Sequence, residues 1–213
     1  MKLSSTFVTF AVFFSQCLAD GKFPWQSPVY NHFFEFPMPV PPIKTPLFTF
    51  TSPATGLPID YYEMEVKPLT RQQYPELPPT RMVGYDGQAP GWFIVILQDG
   101  SCLSAQIGPT FSITQGREAV VRHVNHGDRQ ISVHLHGSFS RSPFDGWADD
   151  LILQNQYKDY YYPNRQNART LWYHDHAADH TAENVYFGQL GFYVSNSDVQ
   201  LRRPPSLLRL DYA

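Results

Sequence analysis

The chain has 213 residues, enough for one well-cored domain with extensions and too few for three. A net charge of −3 with no basic run argues against a nucleic-acid partner. Nineteen prolines, 13 glycines and 15% aromatic residues fit a loop-rich β protein rather than a helical bundle.

Residues 1–19 carry a single Lys2, then an apolar run through Phe7, Val8, Phe10, Val12 and Phe14, then Cys17-Leu18-Ala19. Small residues at Cys17 and Ala19 predict a signal peptide cleaved after Ala19, and hence a secreted, extracellular protein. A membrane anchor is the competing reading. Ser4, Ser5, Thr6 and Ser15 leave the run shorter and more polar than the ~20 apolar residues a span needs, so no membrane association is expected after cleavage. Cys17 would leave with the signal peptide, and Cys102 then has no partner for an internal disulfide. There is no Asn-x-Ser/Thr site for N-glycosylation.

Residues 20–60 hold a series of prolines from Pro24 to Pro58 among Phe33, Phe34, Phe36, Phe48 and Phe50. Proline fixes φ and is excluded from most central-strand positions. The segment therefore reads as an extended Pro- and aromatic-rich arm across a domain surface, anchored by its aromatic residues, with Leu47–Thr51 as an edge strand. Tyr61 to Leu69 alternates polar and apolar residues, as a half-buried strand does. Val83 to Gly91 is turn-rich.

Trp92 to Leu97 is an apolar run ending at Gln98-Asp99-Gly100, a hairpin-turn signal. Ala119–Val124, Gln130–His136, Thr170–His176 and Gly191–Val194 read as further strands separated by Gly, Pro, Asn and Asp clusters. Many short strands at turn-bounded intervals predict an all-β, two-sheet sandwich or barrel. No internal repeat, heptad pattern or nucleotide-binding glycine motif is present.

Within this pattern stand Val133-His134-Leu135-His136-Gly137 and Trp172-Tyr173-His174-Asp175-His176, which hold four of the eight histidines. Strand residues at i and i+2 share a face with Cα atoms about 6.5–7 Å apart, so both imidazoles of each pair point the same way. That spacing suits neighbouring ions about 3.5–4 Å apart better than one ion. Two such strands side by side would offer four imidazoles to one cluster. A donor set of imidazoles with no nearby thiolate suits copper, zinc, iron or nickel.

His32, His123 and His126 lack such a context and read as structural or surface residues, and His180 as a surface residue or one behind the ligands. Trp147 and Trp172 read as core, or as packing behind the ligands. His174-x-His176-x-x-Asp179-His180 nearly spells the His-x-His-x-Asp-His loop of metallo-β-lactamase-like hydrolases. It has one residue too many before the aspartate, and it leaves the first pair unexplained.

Together with Phe144-Asp145-Gly146-Trp147, Lys158 to Arg169, Leu171 to His176, Asn184-Val185-Tyr186, Gly188 and Gly191-Phe192-Tyr193, the pairs resemble the first plastocyanin-like (cupredoxin) domain of a multicopper oxidase, in particular the bilirubin oxidase-like, laccase-related branch. Tyr61–Leu69 and Tyr85–Gly91 are similar to that branch as well. The resemblance implies a cupredoxin-like Greek-key β-sandwich or barrel over residues 61–195. It also implies copper, with His134 on the type 2 ion, His136 and His174 on one type 3 ion, His176 on the other, and Asp145 relaying protons. The family oxidises a small-molecule electron donor and reduces O2 to water, and neutral imidazole can hold both copper oxidation states for that task. Asp145 can equally be read as capping the Asp145-Gly146 turn.

The family supplies as many cluster histidines again from its last domain, together with a type 1 copper cysteine, and nothing after His180 in these residues matches either. The resemblance therefore implies half of the trinuclear ligands, with further C-terminal cupredoxin domains as partners. Segment 92–108 looks inserted relative to the family, and 196–213 departs from it. An in-frame unspliced intron and a truncated reading frame would account for these two departures. Three readings follow: part of a secreted oxidoreductase inactive by itself, a non-catalytic copper-binding module, and a nonfunctional truncated product.

Overall fold

The structure, a computed structural model, describes residues 41–71, 78–86 and 108–197 in full and the backbone alone of 94–96 and 102–104. The expected signal peptide, the arm up to residue 40, His32, the turn signal at Gln98-Asp99-Gly100 and the tail beyond residue 197 lie outside the described residues.

In chain order the strands are β1 Phe48–Thr51, β2 Pro58–Arg71, β3 Thr80–Tyr85, β4 Ile94–Ile96, β5 Cys102–Ser104, β6 Gly108–Thr114, β7 Glu118–Asn125, β8 Val133–His136, β9 Tyr157–Tyr162, β10 Arg169–Asp175 and β11 Leu190–Asn196. Among the described residues one short α-helix, α1, spans Thr181–Tyr186. The first sheet has five strands: β2 carries β1 and β3 one after the other along one side, β7 pairs with its other side, and β9 closes the far edge. The second sheet is ordered β6-β11-β10-β8. Pairing is antiparallel except at β2–β7 and β6–β11, and among the described residues β4 and β5 pair only with each other. The fold is an all-β, two-sheet sandwich of the cupredoxin type, and among the described residues no ladder joins the two main sheets.

Alternation along the strands builds the core. Tyr62, Met64 and Val66 of β2 and Ala119, Val121 and His123 of β7 face inward from the first sheet. Val133 and Leu135 of β8 and Leu171 and Tyr173 of β10 meet them from the second. Much of the filling is aromatic: Tyr173 packs edge-on to Phe111 at 5.4 Å and Tyr85 at 5.1 Å, geometries that suit the aromatic quadrupole. The Tyr173 hydroxyl donates to the Pro109 carbonyl at 2.6 Å, and the Tyr160 hydroxyl accepts the Val133 N–H from the opposite sheet at 3.1 Å. Burial pushes the Tyr160 phenol up to about 12, so this contact stays neutral.

Several expectations change here. Residues 83–85 belong to β3, not to a turn, because Val83 and Tyr85 are buried against β2 and their pairing outweighs Gly84. The chain turns only at Asp86, whose φ is +51°. Phe48 and Phe50 do not anchor the arm by burial: they stay 53% and 40% exposed. The β1–β2 ladder holds this stretch instead, with Phe48 stacked on Tyr61 at 4.7 Å and Arg117 clamping Asp60, which also accepts from Thr49 Oγ1 at 2.5 Å. The strand expected from Gln130 begins at Val133, and Ile131 forms a lone bridge to Ile152 before it. Strand β9 and helix α1 have no counterpart in the sequence reading.

Candidate metal centre

Strands β8 and β10 lie side by side with His134 opposite His174 and His136 opposite Trp172. With Val133, Leu135, Leu171 and Tyr173 committed to the core, period-two alternation sends His134, His136, Trp172 and His174 to the outer face of the second sheet. Ring centroids are 5.6 Å apart for His134–His136, 5.5 Å for His134–His174 and 5.6 Å for His136–His174. A nitrogen from each of these three rings lies within 4.8 Å of the others. His176 stands just beyond β10, with its ring 5.3 Å from His134 and 5.9 Å from His174.

Two of these imidazoles are fixed by the backbone. His134 Nδ1–H donates to the Asp145 carbonyl at 2.5 Å, and His174 Nδ1–H donates to the Asp175 carbonyl at 2.7 Å. Each leaves Nε2 as the donor atom, the usual device for presenting imidazole to a metal, and that of His174 lies 3.4 Å from His136 Nδ1. His174 is only 6% exposed, and burial, the largest effect, lowers its pKa, favouring the neutral ring that can ligate. The neighbouring rings act in the same direction.

The Asp145 carbonyl reaches His134 because Gly146 lies against β8. At φ +74°, a Cβ on Gly146 would sit 2.2 Å from the Val133 carbonyl oxygen, so only glycine fits. The Asp145 carboxylate comes within 3.5 Å of His134 Nδ1 and lines a cavity of about 300 Å³ with Ser142, Pro143, Trp147 and Asp150. Trp147 is 67% exposed, so the core reading fails for it, whereas Trp172 stacks on His174 at 4.1 Å.

Sequence reasoning passed over Asp175, the residue between His174 and His176. Its buried carboxylate accepts the Ser132 N–H at 2.9 Å through Oδ1, and the Ala177 N–H and the Asn184 amide, both at 3.1 Å, through Oδ2. It ties β8, the end of β10 and α1 together at the point where the chain leaves His176. An acidic residue between two extended, ligand-like histidines was the available signal. Burial raises the Asp175 pKa, and the three donors act against that rise.

Asp179 and His180 stay out of the cluster: Asp179 occupies a left-handed turn at φ +63°, and His180 precedes α1. The hydrolase-like loop therefore does not form. His126 is exposed, and His123 is a core residue. An all-imidazole donor set with the Nδ1 of His134 and His174 held by carbonyls fits copper, among the metals that imidazole suits.

The multicopper oxidase family model matches residues 95–198. Bilirubin oxidase of Albifimbria verrucaria is 52% identical over 161 residues, covering 76% of this chain and 25% of that protein. The chain carries a domain of the multicopper oxidase family. A laccase of Bacillus subtilis is 31% identical over 158 residues, covering 67% of this chain and 30% of that protein. A multicopper oxidase of Pediococcus acidilactici superposes with a TM-score of 0.63 at 20% identity, over 88% of this chain and 35% of that one, a likeness of fold. The chain thus spans 25–30% of the length of these curated relatives. Among the described residues no helix is long and apolar enough to cross a membrane.

Proposed function

We propose that this domain supplies half of the ligand shell of a multinuclear copper centre in a secreted oxidoreductase that oxidises a bilirubin- or phenol-type donor and reduces O2 to water. In this reading His134 serves the type 2 ion, His136 and His174 share one type 3 ion, and His176 binds the other. The observation that carries it is the common outer face of β8 and β10. There His134 and His174 turn Nε2 away from the carbonyls that hold Nδ1, and the His174 Nε2 lies 3.4 Å from His136 Nδ1 within the cluster.

Bound copper would supply one-electron redox chemistry at the cluster. The chain's own residues orient the imidazoles, and burial favours the neutral form of His174. Four-electron reduction of O2 consumes four protons, and Asp145 is the carboxylate on hand to deliver them, half-exposed beside His134. Its backbone carbonyl meanwhile holds the His134 tautomer, so main chain and side chain of one residue serve different tasks. Secretion rests on the signal-like residues 1–19.

These residues hold four of the imidazoles such a cluster needs, and the complementary ligands would come from beyond them. Copper loading of the purified chain, followed with an oxygen electrode, tests the reading. About one or two coppers per chain without O2 uptake is the expected result, given the two His-x-His pairs. O2 uptake by the chain alone, abolished by His134→Ala, would overturn the half-shell assignment, and absence of bound copper would overturn the whole reading.

A further inference from the structure

Among the described residues, Trp172 is the one non-histidine side chain stacked on rings of the cluster. Its cross-strand partner is His136, and it precedes His174 by two residues on β10, so all three rings share the outer face. The indole lies nearly parallel to His174, at 4.1 Å and 28°, and nearly parallel to His136, at 5.2 Å and 26°. His134 and His174 each have a backbone carbonyl on Nδ1. His136 has none among the described contacts: its Nδ1 instead faces His174 Nε2 at 3.4 Å, and the residue is exposed.

We infer that Trp172 is a positioning residue that sets the ring planes of His136 and His174, doing by stacking for His136 what a carbonyl does for His134. An imidazole binds a metal through a lone pair in its own plane, so fixing the plane fixes the direction of the donor. A free strand histidine at an exposed position samples several rotamers, and binding must then overcome that entropy. The indole face spans both rings at once. It therefore couples their orientations, and it covers one side of His174 against water. The inference rests on the copper reading for its purpose, though not for its geometry.

The test uses the full chain and two independent readouts. In metal-free wild-type protein, side-chain NMR relaxation should find the His136 ring nearly as ordered as those of His134 and His174. His176, also exposed and without a Trp172 contact among the described ring pairs, should be looser. A His136 ring as mobile as His176 would overturn the inference with no variant needed.

Trp172→Leu should loosen His136 while leaving the His134 ring and its carbonyl contact unchanged. It should also weaken copper binding by about 10–100-fold in a chelator competition, the usual effect of removing a partner that orients a ligand. Trp172→Phe, which keeps an aromatic face in place, should recover most of that loss. Unchanged His136 order and copper affinity in the leucine variant would overturn the positioning role while leaving the copper reading intact. Failure of wild-type protein to bind copper would overturn the copper reading, and the metal-free relaxation data would still decide what Trp172 does.

Discussion

At the scale of single residues, what separates His134 and His174 from ordinary strand histidines is where Nδ1 points. Gly146 makes the His134 arrangement possible, since its missing Cβ lets the Asp145 carbonyl approach. Gly146→Ala should cost at least about 2 kcal/mol, from left-handed strain plus a collision with the β8 backbone. Thermal unfolding monitored with and without copper checks this, and an unshifted melting temperature would contradict the packing described.

His123 shows the opposite fate of a histidine. It is 2% exposed, and edge-on to Tyr85 at 5.7 Å and to Tyr160 at 5.5 Å. Burial lowers its pKa from the ordinary 6.5 to about 3. Between those values the unfolded chain binds a proton that the folded chain refuses. Its contribution is therefore intact above 6.5 and is lost progressively as pH falls toward 3. His123→Phe should flatten the stability–pH curve in that window, as read by urea unfolding at a series of pH values. An unchanged slope would mean that carboxylates alone set the acid limit.

At the scale of elements, the joint between β8, β10 and α1 depends on Asp175. Asp175→Asn removes one accepting oxygen and turns amide hydrogens toward groups that already donate. The expected cost is about 2–3 kcal/mol for the orphaned N–H groups, and urea denaturation at neutral pH would measure it. A neutral effect would mean that the joint is held by its backbone bonds, such as His176 N–H to the Ser132 carbonyl at 2.6 Å.

Element-scale features were unevenly legible in the sequence. The extended backbone around both histidine pairs could be read because flanking β-branched and aromatic residues agree with the period-two pattern. Strand β9 escaped because Tyr160 and Tyr162 alternate with the equally aromatic Tyr161, which hides the period. Strand β3 escaped because Gly84 looked like a turn, and its pairing with β2 is a long-range fact. The pairing of β8 with β10 that faces His134 to His174 is equally non-local. Residue spacing could only make it plausible.

At the scale of the whole molecule, the sandwich divides its labour by face. Inward positions are spent on an aromatic core that ties the two sheets together through Tyr160 and Val133. That frees the outer face of β8 and β10 for polar, ligand-like residues. The all-β class could be read from the sequence, and so could the shared face of His134, His136 and His174, because both pairs fall on one strand period. Packing of Trp172 against the histidines was one of two readings its position allowed, whereas the Asp175 joint and the Gly146 approach depend on groups distant in the chain.

The central claim, that this outer face holds copper through the paired histidines, is tested most directly by a copper-edge anomalous difference map of crystals of the copper-loaded chain. The account predicts density about 2 Å from imidazole nitrogens of the cluster, touching His136 and His174 and adjoining His134. Density confined to the carboxylates of Asp145 and Asp150, or none on the second sheet, would contradict it.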